Sequence, residues 1–295
     1  MSCSIVICVY KDRRIYRLIE SLLCSNNIRY ITEIIIVENG TSLFEDVISI
    51  DERIKYANVK LKNMAYARNV GINMARGNYI LMTDADVVVD EHWVKEMLTA
   101  LQEGVYAAVG GKIAKYQPAT WVQKHAITIV DGQQKLNYLP ALNLPYVVGA
   151  NVGFISSVLH NVGGFDERLI SGNDVDICYR IGLAGYKIGL APAALVYHED
   201  RPGLGKHFNR FRNYAVYQVL LFSIYRHVSG KRWVINSYPF KRFFGGILAI
   251  PKSLLLYIFK GNNTVLLRAI LQIVESVGIW CGSIQGSLRF RQFYI

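Results

Sequence analysis

Residues 67–86 read Ala67-Arg-Asn-Val-Gly-Ile-Asn-Met-Ala-Arg-Gly-Asn-Tyr-Ile-Leu-Met-Thr-Asp-Ala-Asp86, and two periods meet in them. Ala65 to Ala75 carries apolar residues at helical spacing, whereas Tyr79 to Thr83 is a short apolar run of the kind that forms a buried strand. Gly77 follows the helical pattern and reads as its stop. A helix followed at once by a buried strand ending in Asp84-Ala85-Asp86 predicts an α/β fold with carboxylates at the ligand-binding end of a parallel sheet.

The same signals recur on both sides. Ser4 to Val9 and Glu33 to Val37 read as further buried strands, and Arg14 to Cys24 and Glu91 to Gln102 as crossover helices. Ligands of such sheets sit outside the carboxyl ends of the strands. Tyr10 to Asp12, Glu38 to Gly40 and Asp84 to Asp86 all fall there. Val105 to Leu139 has a mixed pattern, expected to build the acceptor side from strands and a helix. Beyond it come three glycine-rich stretches, Gly149-Ala-Asn-Val-Gly-Phe, Val162-Gly-Gly-Phe-Asp-Glu and Ser171-Gly-Asn-Asp-Val-Asp. The last opens a helix expected from Asp174 to Ala184 and closed by Gly185.

With 295 residues, 52% of them hydrophobic, the chain can bury a large core, and its composition excludes a disordered protein. The net charge of +11 is unevenly placed. Of 33 basic and 22 acidic side chains, fourteen basic ones but a single carboxylate, Glu275, lie from Arg201 onward. A soft boundary is therefore expected near residue 200, between a catalytic domain over 1–200 and a basic helical tail over 201–295. Five cysteines (Cys3, Cys8, Cys24, Cys178, Cys281) without CxxC spacing indicate neither a disulfide framework nor a zinc site. Met1 to Val9 has no basic leader, so the catalytic part is expected to remain in the cytoplasm.

Asp84 and Asp86 in one turn can hold a divalent cation that bridges a diphosphate, and hard oxygen ligands suit Mg²⁺ or Mn²⁺. Exposed acidic turns of this form are also common without a metal. Asp174 stands at a helix start, where free N–H groups and the helix dipole favour negative charge; this fits a simple cap as well as a base. Asp176 has Arg180 four residues on, which predicts an intrahelical ion pair. Asp174 and Asp176 are two positions apart on a helix and so point in different directions.

The run 67–86, followed by Gly163-Gly-Phe-Asp-Glu167, Asn173-Asp-Val-Asp176 and His198 in Val196-Tyr-His-Glu, resembles glycosyltransferase family 2 with its GT-A fold, over about residues 2 to 200. The resemblance implies a Rossmann-like, mixed but mainly parallel sheet flanked by helices. It also implies inverting transfer from a nucleoside-diphosphate sugar, a UDP-sugar by preference, to a glycan or lipid-linked acceptor, with Mn²⁺ or Mg²⁺. Val9 and Tyr10 match the base-proximal turn, Glu38 the acid at the base or ribose, Arg68 a support of the nucleotide pocket and Asp84 the ribose-side acid. Asp86 matches the metal ligand, and His198 a histidine that also reaches the metal in several relatives. Asp174 matches the catalytic base, with Asn173 in place of the family's Glu and Asp176 in support.

Two other readings remain open. A nucleotidyltransferase is disfavoured because the loop after the first strand, Tyr10-Lys-Asp-Arg, lacks a Gly-rich, Arg-containing pattern. A catalytically silent nucleotide- or lipid-binding module draws on Asn173 alone.

In the tail, Phe208 to Val228 reads as an amphipathic helix. Phe243 to Phe259, apolar except for Lys252 and interrupted by Pro251, reads as a helix lying in the headgroup region rather than crossing. Arg210, Arg212, Arg226, Lys231, Arg232, Lys241 and Arg242 alternate with aromatics such as Phe211, Tyr217, Trp233 and Phe244. Cations with aromatics suit nucleic acid or lipid; the apolar run from Gly245 to Tyr257 favours an anionic membrane surface and disfavours nucleic acid. The expected location is peripheral, on the inner face of the cell membrane. Packing on the catalytic domain or on a second copy in a homo-oligomer is the competing use of these residues.

Overall fold

A computed structural model describes residues 2–23, 26–126, 135–139 and 142–294. Cys24 and residues 127–134 of the mixed stretch lie outside them. The described elements run β1 (Cys3–Val9), α1 (Ile15–Leu23), β2 (Glu33–Asn39), β3 (Ile54–Val59), α2 (Met64–Met74), β4 (Tyr79–Asp84), β5 (Val87–Val89) and α3 (Trp93–Gln102). They continue with β6 (Ala108–Lys115), α4 (Trp121–His125), β7 (Asn137–Leu139), β8 (Leu142–Tyr146), β9 (Asn151–Ile155), α5 (Ser156–Asn161), α6 (Asn173–Leu183) and β10 (Ile188–His198). Three long helices follow, α7 (Leu204–Ser229), α8 (Ser237–Lys260) and α9 (Thr264–Phe290).

Eight strands form one sheet in the order β3-β2-β1-β4-β9-β6-β10-β5. The β3-β2-β1-β4 half is parallel, β9 runs against both β4 and β6, and β5 runs against β10. All seven residues of β1 and of β2 are buried, as expected for strands covered on both faces. Ile15, Leu18, Ile19 and Leu22 of α1 repeat every three to four residues and are fully buried. Asn63 caps α2, its side-chain oxygen accepting from the N–H groups of Ala65 and Tyr66. Pairing sets Cys8 of β1 opposite Asp84 and Val9 opposite Glu38, which brings the polar strand ends to one edge.

Gly77 differs from its expected role. It does not adopt the left-handed conformation of a helix stop; a Cβ there would lie 2.7 Å from the backbone nitrogen of Ser4. Its N–H donates to the Ser4 hydroxyl at 2.9 Å. The glycine serves close approach of the turn to β1.

The chain divides into two compact units. One holds Met1–Tyr116, Ile129–Tyr138 and Leu144–Glu199; the other holds Gln117–Thr128, Leu139–Asn143 and Asp200–Ile295. The second unit is built on α7, α8 and α9, and it corrects two readings of the tail and adds a third feature. First, α7 is not a simple amphipathic helix. Ala215, Val216 and Tyr217 are all buried, and three successive helical residues cannot share a face.

Second, Arg210 is not a free surface cation, because it is buried and bonded to Asp200 at 2.8 Å. Arg242 meets Glu275, which also receives His207 at 2.9 Å. These groups neutralise one another inside the bundle, as buried charges must. Third, α9 carries Gly278, Gly282 and Gly286 on one ridge, a helix-packing signal absent from the sequence reading. A Cβ on Gly282 would lie 2.2 Å from the carbonyl oxygen of Arg212 in α7. Among the described residues, α8 and α9 are long and apolar enough to cross a membrane by length and composition.

Because the obstruction at Gly282 is backbone, no side-chain rotation relieves it. Gly282→Val is expected to destabilise the helical unit by about 1–3 kcal/mol or more, measured as a lowered midpoint in chemical unfolding; an unchanged midpoint would refute the close contact.

Candidate functional site

The polar cluster lies where β1, β4 and β10 end. Asp84 closes β4, Ala85-Asp86 turns into β5, and β5 pairs antiparallel with β10 so that Val87 faces His198. The N–H of Glu199 donates to the Asp86 carbonyl at 3.1 Å. This strand pairing, across more than a hundred residues, carries His198 to Asp86, with Nε2 3.5 Å from Oδ1. One ligand atom each from Asp84, Asp86 and His198 lies within 4.8 Å of the others.

Two carboxylates and an imidazole fit a divalent cation. Bonds of about 2.1 Å put neighbouring ligands of an octahedral ion about 3 Å apart and opposite ligands about 4.2 Å apart. The three side chains would close on an ion by shifts under about 1 Å. Burial pushes the Asp86 carboxyl above its ordinary value, and the neighbouring Asp84 and Asp12 push the same way against His198 and Arg14. Excess negative charge held this way is relieved by a cation.

Arg14, which the sequence reading did not single out, is the resident positive charge. Its guanidinium lies 2.6 Å from Asp12, 3.4 Å from Asp86 and 3.2 Å from Glu199. Arg17 joins Glu199 at 2.8 Å. The signal available in sequence was Asp12-x-Arg14 at the end of β1 together with Glu199 beside His198, but only the fold brings these two pairs together.

Arg68 links the strand end to α6. One guanidinium nitrogen lies 3.5 Å from Asp84 and another donates to the Asn173 side-chain oxygen at 2.5 Å. Asn173 and the next residue, Asp174, open α6, preceded by Gly172 in the left-handed conformation. The Asp174 carboxylate accepts from the Gly149 N–H at 3.0 Å and from the Val175 N–H at 3.0 Å. A Cβ on Gly149 would lie 3.0 Å from the Arg68 guanidinium and 3.3 Å from the Asp174 Cβ, so a side chain there would press on both groups. Asp176 is buried in the expected pair with Arg180, at 2.7 Å, and Arg180 also donates to the carbonyls of Val162 and Gly164. Asn69, likewise unassigned from sequence, fastens the Gly163-Gly164 turn by bonding both the N–H and the carbonyl of Phe165.

The remaining expected residues sit apart from this cluster in character. Val9 is buried in the core and offers a ligand only its backbone. Tyr10 is half-buried with the Lys62 ammonium 3.9 Å above its ring. Glu38 is fully buried, and its carboxylate accepts from Thr41, Leu43, Phe44 and Tyr56. Burial alone would raise its pKa, but the hydrogen bonds from Thr41, Leu43, Tyr56 and Phe44 together hold it below the ordinary value of 4.5. Those bonds make Glu38 the organiser of the loop after β2.

Residues 4–163, more than half of the chain, match the family described as Glycosyl transferase family 2. The Pre-mycofactocin glycosyltransferase of Mycobacterium tuberculosis is 31% identical over 147 residues, covering 48% of this chain and 31% of that protein. The chain thus spans about a third of that relative's length. Among solved structures, the mannosyltransferase PcManGT from Pyrobaculum calidifontis in complex with GDP-Man and Mn²⁺ superimposes with a TM-score of 0.60 at 12% identity, over 94% of this chain and 86% of that one. GalNAc-T7 with UDP, GalNAc and Mn²⁺ gives a TM-score of 0.55 at 16% identity, over 68% and 43%. Both likenesses are of fold, and both folds are GT-A.

A depressed carboxyl contributes stability that is fully present above its unfolded value and lost as pH falls through the folded one. Glu38→Gln is expected to cost about 1–3 kcal/mol at about pH 7, with the gap to wild type narrowing below about pH 4.5. Urea midpoints across that range check it; a gap independent of pH would mean that the charge plays no part.

Proposed function

We propose that this chain, which belongs to glycosyl transferase family 2, is a metal-dependent, inverting glycosyltransferase. It moves a sugar from a nucleoside-diphosphate donor, with UDP-sugars favoured, to a hydroxyl of a glycan or lipid-linked acceptor in polysaccharide or glycoconjugate assembly. It works as a peripheral protein on the cytoplasmic face of the cell membrane, with its catalytic part in residues 1–200 and a basic tail beyond. The observation that carries the reading is the Arg68 bridge. It holds Asp84, one of the three convergent ligand groups, to Asn173 at the head of α6, where Asp174 follows.

The acceptor oxygen attacks the anomeric carbon from the face opposite the nucleotide, and its proton passes to a carboxylate oxygen of Asp174. The bond from the anomeric carbon to the diphosphate oxygen breaks with its electron pair going to the diphosphate, which inverts configuration at the carbon. Asp86 and His198, with Asp84 on the ribose side, would hold Mn²⁺ or Mg²⁺, which supplies Lewis-acid stabilisation of the departing diphosphate. Asn173 and Arg68 position the base and Asp176 holds its helix through Arg180. Val9 and Tyr10 form the base-proximal turn, and Glu38 shapes the neighbouring loop.

Thermal stabilisation by UDP and GDP, each with and without Mn²⁺, tests the donor site. One diphosphate is expected to raise the melting temperature only with metal, and Asp86→Ala to abolish the shift. Asp174→Asn is expected to retain the shift while transfer falls by at least about 100-fold. Turnover retained in Asp174→Asn would remove the base assignment. No shift with either diphosphate would leave the silent lipid-binding module as the better reading.

A further inference from the structure

We infer that α8 docks in the plane of an anionic lipid bilayer through one outward apolar stripe, with Lys241 and Lys252 lying along its edge. The inference rests on the membrane placement proposed above and is independent of the donor chemistry.

The stripe is visible in exposure. Phe244, Ile247, Leu248, Leu254, Leu255 and Ile258 are all exposed, Leu248 to 78% and Ile258 to 70%, and at 100° per residue they fall within about 120° of one another around the helix axis. That spacing puts them on a single face of the helix. The opposite face is engaged: Arg242 meets Glu275, Ser253 is buried, and a Cβ on Gly246 would lie 2.9 Å from the Ile273 side chain of α9. Soluble proteins rarely leave so long an apolar face to water.

Charge identifies the occupant. Lys241 and Lys252 are exposed and eleven residues apart, so they share a direction to within about 20°, roughly 100° from the centre of the stripe. Stems at that angle lie along a bilayer surface with the ammonium groups at the phosphates.

The same lysines argue against a crossing helix. Nine residues separate Arg242 from Lys252 and seven separate Lys252 from Lys260. At 1.5 Å per residue these apolar segments measure about 14 and 11 Å, against a hydrocarbon core of about 30 Å. Pro251 removes the N–H that would pair with the Ile247 carbonyl on the outward face, and water in the headgroup region can satisfy that carbonyl where hydrocarbon cannot. In α9, the Gly278-Gly282-Gly286 ridge is taken up by α7, and Glu275 is buried against His207 and Arg242. Among the described residues, α8 therefore carries the longest exposed apolar face, beside the shorter exposure of Ile284 and Leu288 on α9.

Flotation of the full chain on phosphatidylcholine vesicles, with and without phosphatidylglycerol, tests this. Wild type is expected to float on the anionic vesicles, and high-pH carbonate should release it. The Leu248→Glu/Ile258→Glu pair is expected to lose flotation while keeping the wild-type melting temperature and any nucleotide-dependent shift. Lys241→Ala/Lys252→Ala leaves the apolar stripe intact and should weaken binding to anionic vesicles by about fivefold per lysine, with neutral vesicles unaffected. Flotation of the glutamate pair equal to wild type would overturn the proposal, as would retention after carbonate, which marks a crossing helix. A dimer in gel filtration that the glutamate pair dissolves would assign the stripe to a second copy instead. If the glutamate pair loses flotation but no nucleotide stabilises any form, the docking face stands and the donor reading falls.

Discussion

The Arg68 guanidinium is the contact on which the geometry of the site turns. It joins the end of β4 to the head of α6, two segments about ninety residues apart in sequence. A planar fork of donors can satisfy a carboxylate and an amide oxygen at once, which a lysine ammonium does less well. The tightness of the arrangement extends to Gly149, whose N–H donates to Asp174 while its Cα lies close against the guanidinium. A second path runs through the backbone: the Thr83 hydroxyl donates to the Ala150 carbonyl at 2.8 Å, and the neighbouring Gly149 N–H donates to Asp174.

Electrostatically, the two compact units differ. In the first, Asp12, Asp84, Asp86 and Glu199 gather around Arg14, Arg17 and His198. Carboxylates crowded at a sheet edge repel one another, and a cation relieves that repulsion while a diphosphate needs it. In the helical unit, Glu275 is consumed internally by His207 and Arg242. Lys231, Arg232, Lys241, Lys252 and Lys260 remain exposed. This separation of an acidic site from a basic helical surface is what the proposed metal-assisted transfer on an anionic support would use.

Much of the sheet was legible because it is local. Ser4–Val9, Glu33–Val37 and Tyr79–Thr83 are continuous apolar runs, and the structure extends them by a residue or two into β1, β2 and β4. The helices α1, α2, α3 and α6 followed from apolar spacing and from caps such as Gly185, which is left-handed at φ +89. The strands β5, β6, β9 and β10 were not assigned. β5 has only three residues and β10 is bulged between Ala191 and Leu195, so neither gives a clean period. α9 is as apolar as α8, but its glycine at every fourth residue shows its meaning only against α7, the helix that packs on it.

By itself the sequence determined residue types in order: an acidic turn after a buried strand, an Asp at a helix start, a histidine in Val196-Tyr-His-Glu, a basic end. These are short-range facts, set by side-chain chemistry and by periods of two and 3.6 residues. Tertiary structure alone decided which of them meet. The antiparallel pairing of β5 with β10 brings His198 and Glu199 to Asp86, and Arg14 completes the group from the end of β1. The same holds for the cations of the tail, where burial of Arg210 with Asp200 and of Arg242 with Glu275 separates structural charges from exposed ones. Contacts between distant segments depend on strand order and helix packing, which a one-dimensional pattern does not carry.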